Sequence, residues 1–280
     1  MKKAFTITEL LVAVGLLAAV LSASTMVFHY SIEAQRTAMA TSEIMHSLRA
    51  ITDQLNADFA GIRNDMPFGV EFVKEQFGSN DEIRTDSIVF FSTGDAQTTK
   101  QYNNETVRGN VARIYYGQSG TPEPNSFEPA IRRNKILVRK QVILAPDASL
   151  PPPDDSNEYQ CTFPIEQSRE FLQTPDPATG FPPYIPLYWH NRPDVDPNDQ
   201  NDIPLYLAKG VDNFTIQLEN NVDPNGIVWW PQNSEITGNI VSTPIDDNSI
   251  DLIKFTFTLY DSKGILKQGR RFEHIVYIGN

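Results

Sequence analysis

Residues 10–28 read LLVAVGLLAAVLSASTMVF, nineteen positions without a formal charge, and a single acid, Glu9, stands directly before them. As a helix this run is about 28 Å long, close to the roughly 30 Å of bilayer hydrocarbon. Lys2 and Lys3 precede it, and the positive-inside bias holds that end in the cytoplasm and sends the rest of the chain outward. Glu9 then falls near the membrane interface, where a carboxylate costs less than at the bilayer centre. It is still expensive enough to need a reason.

The helical signal continues past the apolar run. From 31 to 64 there is no Pro and Gly61 is the only Gly, while Ile44, Leu48, Ile51, Leu55, Phe59 and Ile62 recur at gaps of three and four. That spacing predicts one apolar stripe, with Glu43, Arg49, Asp53, Asn56 and Arg63 on the solvated side. Asp58 and Asp65 are read as part of the same solvated face. A single helix over 5–64, roughly 90 Å long, follows. Its lower half is lipid-soluble and its upper half is amphipathic, and Met66-Pro67 stops it.

Beyond the helix the apolar period changes to two. Candidate strands are 87–92, 111–116, 136–144, 211–219, 227–230, 252–260 and 271–278. In the sixth, Ile253, Phe255, Phe257 and Leu259 alternate with Lys254, Thr256 and Thr258. Asp261-Ser262-Lys263-Gly264 forms the turn into the last, where Phe272, His274, Val276 and Ile278 share a face. A long helix followed by strands predicts an α+β fold with an antiparallel sheet. Thirteen of the twenty prolines lie within 146–204, a density incompatible with central strands, so this stretch reads as a surface excursion. Its aromatics, among them Phe163, Phe171 and Trp189, point to packing on the sheet or on a partner.

Charge and composition narrow the function classes. A net charge of -12 and a pI near 4.8 argue against a nucleic-acid groove and against an anionic membrane surface as partner. One cysteine, Cys161, leaves no intramolecular disulfide. His29, His46, His190 and His274 are scattered, and neither Gly-x-Ser-x-Gly nor His-Glu-x-x-His occurs, so no enzyme is expected. Asp194, Asp196, Asn198 and Asp202 occupy the first, third, fifth and ninth places of a calcium-loop spacing. Asp199 stands where that loop wants Gly and Leu205 where it wants a closing Glu. An acidic, solvated turn explains the same residues, and no cofactor is expected.

The start of the chain also resembles a known family. A short basic leader, the small Ala4, then Phe5, Glu9 four positions later and a Leu/Val/Ala-rich helix are similar to the class III signal of type IV pilins and type II secretion pseudopilins. The resemblance implies that a prepilin peptidase cuts between Ala4 and Phe5 and methylates the new Phe5 amine. The family's usual residue before the cut is Gly, and Ala4 is the next smallest side chain. In a polymer of such helices Glu9 pairs with the freed amine of a neighbour's Phe5 and sets the axial register. The implied layout is a leader at 1–4, a transmembrane helix at 5–28, an amphipathic continuation at 29–65 and a periplasmic β-rich domain at 66–280, with an insertion at about 146–204.

A narrower resemblance runs through the domain. Asp86-Ser-Ile-Val-Phe-Phe, Val111-Ala-Arg-Ile-Tyr-Tyr, Ile136-Leu-Val-Arg-Lys, Leu207-Ala-Lys-Gly-Val-Asp-Asn-Phe, Trp229 and the Arg270-Arg-Phe ending look like the J-type minor pseudopilin. That likeness implies a pilin-like subunit anchored once in a bacterial inner membrane. It would join other minor and major pseudopilins and the inner-membrane secretion platform at a pseudopilus tip, initiate assembly and support protein export, with no nucleic acid involved. Three alternatives stay open. They are a minor pilin of a type IV pilus or DNA-uptake system, a single-span periplasmic binding or adhesion protein, and a secretory signal peptide cut near Ser22-Ala23-Ser24.

Overall fold

In the computed structural model the described residues are 6–63, 69–77, 81–102, 104–119, 135–145, 158–160, 193, 195, 202–220, 228–231, 236, 241–244 and 251–278. Helix α1, Ile7–Phe59, is one unbroken element of 53 residues, about 80 Å long. It ends five residues before the expected 64, and the cause is pairing, not proline. The Gly61 carbonyl accepts the Thr93 amide at 2.6 Å and the Arg63 amide donates to the Phe91 carbonyl at 2.9 Å, so residues 61–63 are drawn onto the sheet. Gly61 is needed there, because a Cβ would sit 2.2 Å from the Thr93 carbonyl oxygen.

The strands, among the described residues, are β1 Gly69–Phe72, β2 Lys74–Phe77, β3 Asp81–Arg84, β4 Ser87–Gln97, β5 Arg108–Gln118, β6 Ile136–Leu144, β7 Tyr159–Gln160, β8 Tyr206–Lys209, β9 Val211–Asn220, β10 Val228–Trp230, β11 Val241–Pro244, β12 Leu252–Leu259 and β13 Arg270–Tyr277. One sheet runs β11-β1-β4-β5-β6-β7, with β8 also on β6. A second runs β10-β9-β12-β13, and β2-β3 form a ribbon. All pairs are antiparallel except β6 with β7. That exception corrects a purely antiparallel reading. It comes from the proline-rich excursion, which returns two residues to the sheet edge, where a strand flanked by prolines is tolerated. Of the seven expected strands, 136–144 keeps its bounds as β6 and the other six are present with shifted ends; β1, β2, β3, β7, β8 and β11 are additional.

The two sheets and the upper half of α1 share one core. Ile44, Ile51, Leu55 and Phe59 of the helix meet Phe90, Ile114 and Leu137 of the large sheet and Phe214, Phe255 and Phe257 of the small one. Phe59 stacks on Phe90 with ring centroids 4.2 Å apart and touches Phe255 at 5.6 Å. Burying aromatics of this size supplies most of what holds a helix on a sheet. The stripe spaced at three and four in sequence is therefore the face that packs. Tyr159, from the excursion, is buried with Val107, Ile143 and Ala145.

Candidate functional site

The two halves of α1 have opposite environments. From Ile7 to Met39 its large apolar side chains are exposed on every side, Leu10 at 62%, Leu17 at 59% and Phe28 at 72%, and the first buried residue is Ala40. The lower half is long and apolar enough to cross a membrane, and none of it is covered by the rest of the chain. A bare apolar cylinder of this size needs lipid or partner helices around it.

Glu9 sits in the first turn of this cylinder. Its Oε2 accepts the Thr6 amide at 3.0 Å and the Thr6 hydroxyl at 2.8 Å, and the Glu9 amide donates to Thr6 Oγ1 at 3.3 Å. Thr6 and Glu9 thus form a capping box, satisfying amides that the helix start leaves without partners. The sequence signal for it, Thr followed three residues later by Glu, lies in plain view at Thr6-Ile-Thr-Glu9. Ala4 and Phe5 lie outside the described residues.

At its upper end α1 is fastened by a largely buried ion pair. Arg139 Nε donates to Asp58 Oδ2 and Arg139 Nη2 to Asp58 Oδ1, both at 2.7 Å. The Tyr116 hydroxyl bonds Oδ2 and Gln54 Nε2 donates to Oδ1 at 3.1 Å. Asp58 therefore does not belong to the solvated face. At the end of the helix its side chain turns under the sheet because four donors from α1, β5 and β6 converge on it. Burial works against the Arg139 charge, but the Asp58 carboxylate outweighs it and holds the guanidinium protonated. Burial and the Asp58 charge push the Tyr116 phenol far up. Each Asp58 carboxylate oxygen accepts two hydrogen bonds within the cluster. Its chemistry is that of a clamp.

A second clamp joins the two sheets. Asp86, fully buried, pairs with Arg84 and accepts the Ile216 amide at 2.8 Å and the Val73 amide at 3.2 Å, while Arg84 Nη2 donates to the Ile216 carbonyl at 3.0 Å. Burial pushes the Asp86 carboxyl up to about 6, and the Arg84 charge and the two amides pull the other way.

The calcium candidates are not brought together by anything described. Asp202 is half-buried just before a short 3-10 turn, its carbonyl accepting the Leu205 amide at 2.9 Å, and Asp194, Asp196 and Asn198 lie outside the described residues. Among the described residues no group of three His, Cys, Asp or Glu side chains is placed to hold a metal. Cys161 and His190 also lie outside them. Comparison with protein-family models, with curated proteins and with solved structures finds no significant match to this chain.

Proposed function

We propose that this chain is a pilin-like assembly subunit, in particular a minor pseudopilin of a type II secretion system that packs beside other minor subunits at the pseudopilus tip. The reading rests on the single helix of 53 residues, uncovered below Ala40, apolar over 10–28 and locked into a β domain above Ala40. A detachable anchor would need no such continuity. A subunit that transmits its position in the membrane to a rigid outer domain does. The class III-like start at Ala4, Phe5 and Glu9 supplies the processing and register chemistry.

The Thr6–Glu9 capping box favours one second reading, a plain single-span anchor in which Glu9 only caps its own helix. Intact mass of protein from its own membrane separates the two. Loss of residues 1–4 with addition of a methyl group supports the assembly subunit, and an uncut start overturns it. Copurification with a secretion platform or with pilus-retraction components then distinguishes a pseudopilin from a type IV pilin.

A further inference from the structure

The chain carries 35 acidic and 23 basic residues, yet one hairpin reverses that balance. Lys263, Lys267, Arg270 and Arg271 lie in and beside the β12–β13 turn, all exposed. Four cations against two acids, Asp261 and Glu273, leave segment 261–273 a surplus of two positive charges. Asp261 is turned inward, accepting the Ile265 and Leu266 amides at 2.7 and 2.9 Å, and Glu273 pairs with Arg271 at 3.3 Å.

The hairpin lies at the end of the domain nearest the apolar half of α1. The Ser262 amide donates to Glu43 at 3.1 Å and Arg270 reaches Thr41 at 3.4 Å, whereas His274 meets Asn56 at 2.9 Å. Strand β13 therefore climbs away from the span as its numbers rise, and the turn stands at its foot. Glu43 accepts the Ser262 amide and keeps its negative charge beside the turn, and on the bare helix below stand one acid, Glu33, and one base, Arg36.

Thr41 is thirteen residues past Phe28, about 20 Å of helix. Headgroups fill about 5–7 Å of that distance, and an ordinary tilt of about 20° lowers one side of the domain further. That leaves about 13 Å before tilt, more than the roughly 8 Å Debye length at physiological salt, so the tilt and the reach of the long Lys and Arg side chains must close it. We propose that this basic hairpin docks on anionic headgroups of the same bilayer that holds α1, drawing the domain down toward the membrane. The tether favours this occupant over a free acidic protein, because it holds the hairpin at a high effective concentration near that surface. Chain-wide charge obscures the site. The inference rests on reading 7–28 as a membrane span.

The test uses the full chain with Cys161→Ser and Gln268→Cys, a fluorophore on the new thiol, and nanodiscs carrying a headgroup quencher. The discs are phosphatidylcholine alone or with roughly one third phosphatidylglycerol. Quenching should be at least about two-fold greater in the anionic discs, and should fall to the neutral-disc level at ~1 M salt and in a Lys263→Gln/Lys267→Gln variant that melts like its parent. Equal quenching in both discs, with the chain still embedded, overturns the headgroup contact and leaves the span intact. Equal quenching together with binding of soluble polyglutamate would assign the hairpin to an acidic protein and likewise overturn the proposal. A chain that enters neither disc overturns the span as well.

Discussion

Arg139, midway along β6, reaches Asp58 at the end of α1 through two bonds of 2.7 Å, one to each carboxylate oxygen. The pair spans 81 residues of sequence and ties the helix to β6 of the large sheet. Removing one partner strands the other charge in a site with little water. Arg139→Met should therefore destabilise the domain by about 3 kcal/mol or more, and Asp58→Asn by a comparable amount. The double variant should cost clearly less than the sum of the two. Thermal melts of the four proteins check this, and strict additivity would mean that the pair does not couple helix to sheet.

The Arg84–Asp86 clamp makes a pH prediction of definite sign. Asp86 has its folded value pushed up to about 6 by burial, against an ordinary 3.8. Between those values the folded chain holds a proton that the unfolded chain does not. The stability from this group is fully present below pH 3.8 and is lost as pH rises through about 6. Asp86→Asn, which cannot titrate, should flatten that part of the profile. Urea midpoints at pH 4.5 and 7, compared between variant and parent, provide the measurement.

Gly61 marks where the helix gives way to the sheet. A Cβ there would lie 2.2 Å from the Thr93 carbonyl oxygen and 2.7 Å from Ser92 Oγ. Neither the backbone oxygen nor the Ser92 hydroxyl, which donates to the Asp58 carbonyl at 2.7 Å, can yield easily. Gly61→Ala should lower stability by about 1–3 kcal/mol, as overpacking does. An unchanged melting temperature would show that the helix end can shift without cost.

The parts of this fold that are local in sequence are legible there. Ile44, Ile51, Leu55 and Phe59 announce the packed helix face by spacing alone, and Ile253, Phe255, Phe257 and Leu259 announce β12 by alternation. What stays hidden depends on distant partners. Asp58 looks like any acid on an amphipathic helix until Arg139 and Tyr116 are folded against it. Strands as short as β1 and β11 gain their order only from pairing, Gly69 against Pro244 and Phe72 against Val241. The capping box at the start of α1 is local too, Thr6 followed three residues later by Glu9.

Glu9 carries two separable chemistries, and substitutions can divide them. Its carboxylate oxygen accepts from the Thr6 amide and hydroxyl within one chain, and its charge is also what a neighbour's freed Phe5 amine would require. Glu9→Gln keeps an acceptor at the third helical position, so the capping box survives while the charge is lost. Thr6→Ala does the reverse, removing the cap and leaving the carboxylate. If Glu9 sets register in a polymer, Glu9→Gln should lose crosslinked capture of partner subunits, with membrane insertion unchanged by flotation. Thr6→Ala should retain capture and loosen only the first turn, with amide exchange at Glu9 roughly five-fold faster. The opposite pattern, capture surviving Glu9→Gln and failing with Thr6→Ala, would mean that helix capping alone explains the acid.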